Sequence, residues 1–225
     1  LCAVGVVFMF LVSLNRHLRI NNWFKNNSLN EPNLINYLDL VSLGTVCDVV
    51  PLVGLNRAIV KQGLKILKNK KNLGLKTLFE MCKINTNPTS YHLGFVIGPR
   101  INAGGRVGKC SHGANLLLNL NSKESFKLAT ELNEYNNERK NLEQKFLNAA
   151  LDVINHQSND PIIVILGKNW HEGVIGIVAS RIKDRFNKPT IIISTNKNIG
   201  KASARSITGF DIGSVIIAAL QKKLI

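Results

Sequence analysis

Residues 38–52, LDLVSLGTVCDVVPL, decide how the rest of the chain is interpreted. Leucine and valine recur on nearly every side of this segment when it is drawn as a helix, which predicts a core helix. Pro51 favours an extended conformation for the residue before it and so predicts the helix end. Asp48 lies close to that end. Because an ionised carboxylate is seldom fully buried unless it is paired or binds a metal, Asp48 is either a capping or ion-paired residue or a metal ligand.

Two further blocks follow the first in order along the chain. Residues 98–108 read GPRINAGGRVG, and residues 170–189 read WHEGVIGIVASRIKDRFNKP. Together the three blocks resemble the RecJ family of single-strand-specific exonucleases, within the DHH phosphoesterase superfamily. The resemblance implies that Asp48 is a catalytic ligand of a divalent ion, manganese or magnesium, and such hard cations prefer oxygen ligands.

The block rich in glycine and arginine has a chemistry of its own. Pro99 predicts a break in the preceding helix, and the glycines after it allow a ligand to approach the backbone closely. Arginine presents a planar fork that suits phosphate oxygens, and Asn102 offers both a donor and an acceptor. Composition alone leaves open a tight turn with two surface arginines. The resemblance implies a loop lining a nucleic-acid channel, with Arg100, Asn102 and Arg106 in contact with phosphates.

The last third of the chain changes its hydrophobic period. Residues 162–166, IIVIL, predict a buried strand, residues 174–186 a helix and residues 190–194 a second strand. This spacing predicts an α/β unit with a crossover between parallel strands. His171 precedes the helix, where it is either a structural hydrogen-bonding group or a secondary candidate for contact with a phosphate or a base.

Residues 201–206, KASARS, resemble the phosphate-binding segment of the family's associated domain. Carried over by position, Ser203 and Arg205 would hold the terminal phosphate of a strand, and a hydroxyl beside a guanidinium suits that group. Ala202 and Ala204 stand where glycine is common in the family. A plain strand that ends in a surface arginine is the alternative interpretation.

The longest helical pattern covers residues 123–155, with Ser122 as its predicted N-cap and a middle that is almost entirely polar. Such a helix often bridges two domains, although a plain amphipathic surface helix is the alternative. The predicted fold class is therefore α/β. The resemblance divides it into the mostly helical C-terminal part of a DHH catalytic domain (1–121), a connecting helix (122–157) and the N-terminal part of a DHH-associated, substrate-binding domain (158–225).

The net charge, the cysteines and the N-terminal apolar run indicate the kind of partner and the cellular compartment. A net charge of +15 with a pI of about 9.9 suits a polyanionic partner, because binding a phosphate releases counterions. The four cysteines are widely separated, which predicts free thiols and a cytoplasmic protein. The apolar run at residues 1–14 is shorter than the roughly 20 residues that span a bilayer, which predicts a buried helix and no membrane association.

For the parent protein, the resemblance implies a metal-dependent 5′–3′ exonuclease that hydrolyses phosphodiester bonds of single-stranded DNA in recombination and repair. Its partners would be that strand and a helicase or single-strand-binding protein. The resemblance implies a metal site built from several aspartates and an Asp-His-His triplet, and this chain has no such triplet. We therefore expect it to be an internal fragment that is catalytically incomplete by itself. Two alternatives stay open: a DHH-family hydrolase of short oligonucleotides or cyclic dinucleotides, and a non-catalytic nucleic-acid-binding module.

Overall fold

The computed structural model describes residues 1–69, 71–154, 160–197 and 199–224. The α-helices are α1 (Ala3–Ile20), α2 (Trp23–Asn26), α3 (Leu38–Cys47), α4 (Gly54–Leu67), α5 (Leu73–Met81), α6 (Gly98–Val107), α7 (Ser111–Leu118), α8 (Ser122–Ile154), α9 (Glu172–Phe186) and α10 (Ile212–Gln221). A 3₁₀ turn covers Leu34–Tyr37, and a π-helix covers His92–Ile97. The strands are β1 (Ile163–Lys168), β2 (Thr190–Asn196) and β3 (Ile199–Arg205).

Internal contacts divide the chain into two compact units. The first contains Leu1–Asn102 and Ser111–Leu132, and the second contains Ala103–Cys110 and Asn133–Ile225. Helices α6 and α8 therefore contribute residues to both units. The domain boundaries predicted from the sequence stay a prediction, and the predicted end of the connecting helix at residue 157 lies outside the described residues.

Helix α3 lies in the core of the first unit, as its composition predicts. Val41 and Leu43 are 2% and 6% exposed, and Ile59 of α4 joins the same apolar cluster. The two helices approach closely at Gly63, where a Cβ atom would collide with the carbonyl oxygen of Leu38. A glycine at this position therefore lets the backbones of α3 and α4 touch.

Helix α1 differs from its prediction as a buried helix. Its buried residues are Gly5 and Asn15, whereas Phe10 is 64% exposed. Among the described residues, α1 packs mainly against α3, through contacts such as that of Val4 with Gly44. Helix α1 is also long and apolar enough to cross a membrane by length and composition. One such helix is weak evidence of a span, because core helices and signal sequences share both properties.

The second unit contains a three-stranded sheet in the order β1-β2-β3. Strands β1 and β2 are parallel and joined through α9, which confirms the predicted strand–helix–strand unit, and β3 is antiparallel to β2. Helices α8 and α9 supply most of the apolar residues packed on one face of the sheet. The continuous apolar run of β1 nevertheless alternates between buried and exposed positions, and Leu166 is 68% exposed. The expectation of a fully buried strand is therefore wrong for one face.

Candidate nucleic-acid interface

Asp48 is exposed and forms the C-cap of α3. The next residue, Val49, has a φ of +55° and is 86% exposed, so the chain turns outward directly after the helix. The core helix predicted over residues 38–52 therefore ends before Asp48, and this carboxylate is not buried in it. Periodicity alone continues the apolar pattern through Val50, but the helix ends at Cys47, Val49 is exposed and Val50 is half-buried.

The buried carboxylate of α3 belongs to Asp39 instead, which is 4% exposed. Burial raises the pKa of Asp39, and a 2.7 Å hydrogen bond from the backbone N–H of Leu40 to its Oδ1 acts in the opposite direction. Sequence reasoning missed this residue, because an acid in the first turn of a helix is normally a solvated partner of the helix dipole. Its position between Leu38 and Leu40 was the available signal.

The position of Asp48 at the C-terminal end of α3 favours the binding of a cation. Carbonyl groups at the C-terminal end of a helix carry partial negative charge, and a carboxylate there adds to it. The neighbouring thiol of Cys47 lies beside the carbonyl oxygen of Leu93, at 3.6 Å, and against Gly98. Burial of that thiol, followed by the charge of Asp48, raises the pKa of Cys47 to about 11. Cys47 is therefore a neutral thiol at physiological pH, which makes Asp48 the better metal ligand of the two.

Asp48 does not form a metal site by itself. Among the residues that the structure describes, no group of three or more His, Cys, Asp or Glu side chains could hold a metal ion. Asp48 could supply one oxygen ligand for magnesium or manganese, but both ions need several ligands. The described residues thus supply one candidate ligand and not a complete metal site.

The block rich in glycine is a helix and not a loop. Residues 98–107 form α6, so the predicted break at Pro99 is wrong. Proline is tolerated in the first turn of a helix, where its missing N–H would have no partner in any case. In the first unit, the half-buried Arg100 donates a hydrogen bond from Nη1 to the carbonyl oxygen of Val96 at 2.7 Å, and Asn102 is exposed.

In the second unit, the end of α6 touches the first turn of α9. Arg106 donates a hydrogen bond from Nη1 to the carbonyl oxygen of Gly173 at 3.1 Å. A Cβ atom at Gly173 would collide with the backbone of Arg106, so the contact depends on glycine. Arg106 is therefore held against α9 by both its backbone and its side chain.

Strand β3 approaches the same helix three residues further on. A Cβ atom at Gly176 would lie 2.9 Å from Nη2 of Arg205 and 3.0 Å from Oγ of Ser203. Arg205 donates from Nη1 to Oγ of Ser203 at 3.0 Å and to the carbonyl oxygen of Ala204 at 2.7 Å. Residues three apart lie on one face of a helix. The glycine face of α9 therefore brings together three residues predicted from the sequence: Arg106, Ser203 and Arg205.

The electrostatics of this cluster favour an anion. Burial lowers the pKa of Arg106, the positive charges of Arg139 and Arg205 lower it further, and Glu143 raises it. The positive charges of Arg139 and Arg205 thus act on the partly buried Arg106, and Glu143 is the carboxylate that offsets them among the described residues. A phosphate group would relieve their repulsion and accept forked hydrogen bonds.

Arg139 and Glu143 of α8 were missed by sequence reasoning. Glu143 is 5% exposed and pairs with Nη1 of Arg139 at 2.7 Å and with Nε of Arg181 on α9. Arg139 also donates from Nη2 to Oδ1 of Asn136, which is fully buried. The polar middle of this helix therefore buries one face through Asn136, Arg139 and Glu143, while most of its residues are exposed.

The spacing of residues along α8 does indicate that Arg139 and Glu143 face inward. The buried stripe of α8 steps by three or four residues and stays in register through its polar positions: Leu128, Leu132, Asn136, Arg139, Glu143, Phe146 and Ala150. A polar residue that falls in register with an apolar stripe is a candidate for burial. The start of α8 also differs from its prediction, because Oδ1 of Asn121, and not Ser122, accepts the hydrogen bond from the N–H of Glu124.

His171 is the N-cap of α9, where its Nδ1 accepts a hydrogen bond from the N–H of Gly173 at 3.2 Å. This bond is the structural role considered for it, and it also orients the ring. His171 lies at the edge of a cavity of about 1040 Å³ within the second unit. The cavity is lined by Gly105, Arg106, Asn169, Trp170, His171, Glu172, Gly173, Ser194, Asn196, Lys197, Ile199 and Lys201. Glu172, the acidic residue among the described lining residues, is paired with Lys201 at 2.7 Å, so the surroundings of the cavity are mainly basic.

Comparison with known proteins identifies a matching domain family and several relatives of this chain. The DHHA1 domain family matches residues 159–223. RecJ from Dickeya dadantii is 39% identical over 94% of this chain, and RecJ from Escherichia coli is 40% identical over 93%. The chain is therefore homologous to RecJ proteins over nearly its whole length. It spans 38% of the length of these two RecJ proteins, each of which is named a single-stranded-DNA-specific exonuclease.

Solved RecJ structures share the fold. The structure of RecJ from Thermus thermophilus with Mg²⁺ matches with a TM-score of 0.75 and 32% identity, covering 88% of this chain and 30% of that one. A structure of exonuclease RecJ bound to manganese matches with a TM-score of 0.73 and 32% identity, covering 88% of this chain and 49% of that one. These relatives were therefore solved with the two ions that the sequence suggests for Asp48.

Proposed function

We propose that the chain forms part of a metal-dependent 5′–3′ exonuclease that hydrolyses phosphodiester bonds of single-stranded DNA. The observation that carries this proposal is the meeting of Arg106, Ser203 and Arg205 at the glycine face of α9. The relatives' named activity supports it as well. A role in recombination and repair, a cytoplasmic location and delivery of the strand by a helicase or single-strand-binding protein belong to the same proposal.

The cluster in the second unit suits the terminal phosphate of the strand. That phosphate has three free oxygens, so the Arg205 fork can bind two of them while Ser203 donates its hydroxyl to the third. Arg106 would contact the same phosphate or the next one. The Ser203 hydroxyl already accepts a hydrogen bond from Arg205, so the two groups are oriented together before any strand binds. His171 acts here through α9, because it caps the turn that contains Gly173.

In the first unit we propose Asp48 as one ligand of a magnesium or manganese ion. Its exposed position at a helix C-terminus and the ions in the related structures support this role. Arg100 and Asn102 would contact backbone phosphates of the same strand. We further propose that residues 1–121 belong to a catalytic domain, 122–157 to a connecting helix and 158–225 to an associated domain, to which the match over 159–223 lends support.

A binding experiment tests the phosphate site directly. We expect the chain to bind a 5′-phosphorylated single strand more tightly than the same strand with a 5′-hydroxyl. Arg205→Ala should weaken binding of the phosphorylated strand by about 10- to 150-fold, because a hydrogen bond to a charged group contributes roughly 1.5–3 kcal/mol. Binding of the hydroxyl strand should change much less.

Arg185→Ala is the matched control, since it removes the same charge from the same unit. Arg185 is exposed and lies nine residues beyond Gly176 on α9, about 14 Å along the helix axis. It should lower affinity for both strands alike and leave their ratio unchanged. Equal affinity of the unmutated chain for the two strands would contradict the terminal-phosphate role.

Asp48 is tested in a protein with the full length of the relatives. Asp48→Ala should abolish metal-dependent hydrolysis and leave single-strand binding intact. Undiminished hydrolysis by this variant would exclude Asp48 as a catalytic ligand. The lack of a complete ligand cluster among the described residues favours one alternative, a non-catalytic binding module. The absence of hydrolysis in the unmutated full-length protein would support that alternative, and faster cleavage of dinucleotides than of long strands would support a hydrolase of short substrates.

A further inference from the structure

Two stacked aromatic side chains stand on the surface of the first unit. Tyr91 and Phe95 are 62% and 73% exposed, and their ring centroids are 5.2 Å apart at an interplanar angle of 24°. They lie one helical turn apart, with Tyr91 directly before the π-helix and Phe95 within it. A separation of 5.2 Å leaves no room for a third ring between them, so the outer faces of the pair are the surfaces open to a planar ligand.

The pair is anchored to the core. The ring of Tyr91 meets the ring of His92 edge-on at 6.1 Å, and His92 meets the 2%-exposed Phe79 edge-on at 6.5 Å. Nδ1 of His92 accepts a hydrogen bond from the N–H of Thr89 at 3.1 Å, which fixes the imidazole ring. A platform that is already ordered loses little conformational freedom when a ligand binds.

The π-helix that follows Tyr91 and contains Phe95 packs on the end of α3. The carbonyl oxygen of Leu93 accepts a hydrogen bond from the thiol of Cys47, the residue before Asp48. A Cβ atom at Gly94 would lie 3.2 Å from Cγ1 of Val46. The aromatic pair and the proposed metal ligand therefore belong to adjoining segments of the same unit.

A guanidinium group lies close to the pair in sequence and structure. Arg100 follows Phe95 by five residues, and its Nη1 bonds the carbonyl oxygen of Val96, the residue next to Phe95. Aromatic faces beside a basic group match the alternation of bases and phosphates along a single strand. The net charge of +15 adds attraction for a polyanion.

We propose that Tyr91 and Phe95 form a stacking platform for the unpaired bases of a nucleic-acid single strand next to Asp48. This inference rests on the proposed function and extends it, because a duplex hides the faces of its bases and could not use the platform. Stacking needs no hydrogen-bond pattern, so the platform would accept any base sequence.

The test compares an ordinary oligonucleotide with an abasic strand of equal length and phosphate number. Binding to the 225-residue chain is measured by fluorescence anisotropy for the unmutated protein and for Tyr91→Ala and Phe95→Ala. Each variant should bind the ordinary strand about tenfold more weakly and the abasic strand with unchanged affinity. Tyr91→Phe and Phe95→Tyr keep a ring at each position and should retain the affinity of the unmutated chain.

Phe126→Ala is the matched control, because Phe126 lies in the same unit and is 63% exposed. It should bind both strands as the unmutated chain does. An unchanged ratio of the two affinities in Tyr91→Ala and Phe95→Ala would overturn the platform while leaving the proposed function standing. If the unmutated chain self-associates and these variants do not, with strand binding retained, the rings form a protein contact and the platform is overturned too. Failure of the unmutated chain to bind any single strand would instead remove the proposed function on which the inference rests.

Discussion

Replacing Gly176 with alanine tests whether the glycine face of α9 holds the phosphate site. The new methyl group would lie 2.9 Å from Nη2 of Arg205 and 3.0 Å from Oγ of Ser203. Both atoms are ends of side chains, and the arginine is long enough to move aside. We therefore expect Arg205 to leave its position without a change in the backbone.

The expected effects on stability and binding have opposite signs. Glycine inside a helix costs roughly 0.5–1 kcal/mol relative to alanine, so Gly176→Ala should raise the free energy of unfolding or leave it unchanged. A displaced Arg205 loses its hydrogen bonds to the phosphate, each contributing about 1.5–3 kcal/mol. Affinity for a 5′-phosphorylated strand should then fall by about 10- to 150-fold.

Gly173→Ala provides the comparison on the same face of the same helix. Its Cβ atom would collide with the backbone of Arg106, which cannot rotate away as a side chain can. Overpacking of this kind typically costs about 1–3 kcal/mol, so this variant should unfold at a lower urea concentration than the unmutated chain.

Urea unfolding followed by circular dichroism, together with anisotropy titrations of 5′-phosphate and 5′-hydroxyl strands, measures both quantities. The proposed role of the glycine face is refuted if Gly176→Ala retains the full preference for the phosphorylated strand. It is also refuted if both glycine variants lose the same stability, since a backbone obstacle and a mobile side chain should differ.

Three further predictions concern titratable side chains that are wholly or partly buried. Burial raises the pKa of Asp39, so the folded state binds its proton more tightly than the unfolded chain, and the free energy of unfolding should fall as pH rises from about 3.8 through the raised value. Asp39→Asn should remove this dependence and stabilise the chain at pH 7 but not at pH 3, and identical pH profiles would contradict it. Glu143→Gln should lower the free energy of unfolding by roughly 3 kcal/mol in urea titrations, because it leaves the 13%-exposed Arg139 side chain without its carboxylate. As a control, Glu138→Gln on the exposed face of the same helix should have almost no effect. The thiol of Cys47, with a pKa of about 11 in place of 9.0, should be alkylated at pH 8 about 100-fold more slowly than an ordinary thiol, and equal rates in folded and urea-unfolded protein would refute this.

Local patterns were enough to predict much of the fold. The change of hydrophobic period after residue 160 predicted β1, α9 and β2, because alternation and helical spacing are properties of neighbouring residues. The long helix was predicted nearly to its ends for the same reason. The glycine-rich block was not, since Pro99 and the glycines favour a turn locally, and α6 forms there nonetheless.

The sequence by itself determined which residue types are available for chemistry and in which order they come, and this order was sufficient to indicate the RecJ family. Only the tertiary structure decided that Asp39 and not Asp48 is buried, that Arg139 and Glu143 turn inward, and that Arg106 meets Arg205 across α9. The physical reason is that burial and charge interactions depend on which elements pack together. Residues such as Arg106 and Arg205, 99 positions apart in the chain, become neighbours only when two glycines let the backbone of one and the side chain of the other approach one helix.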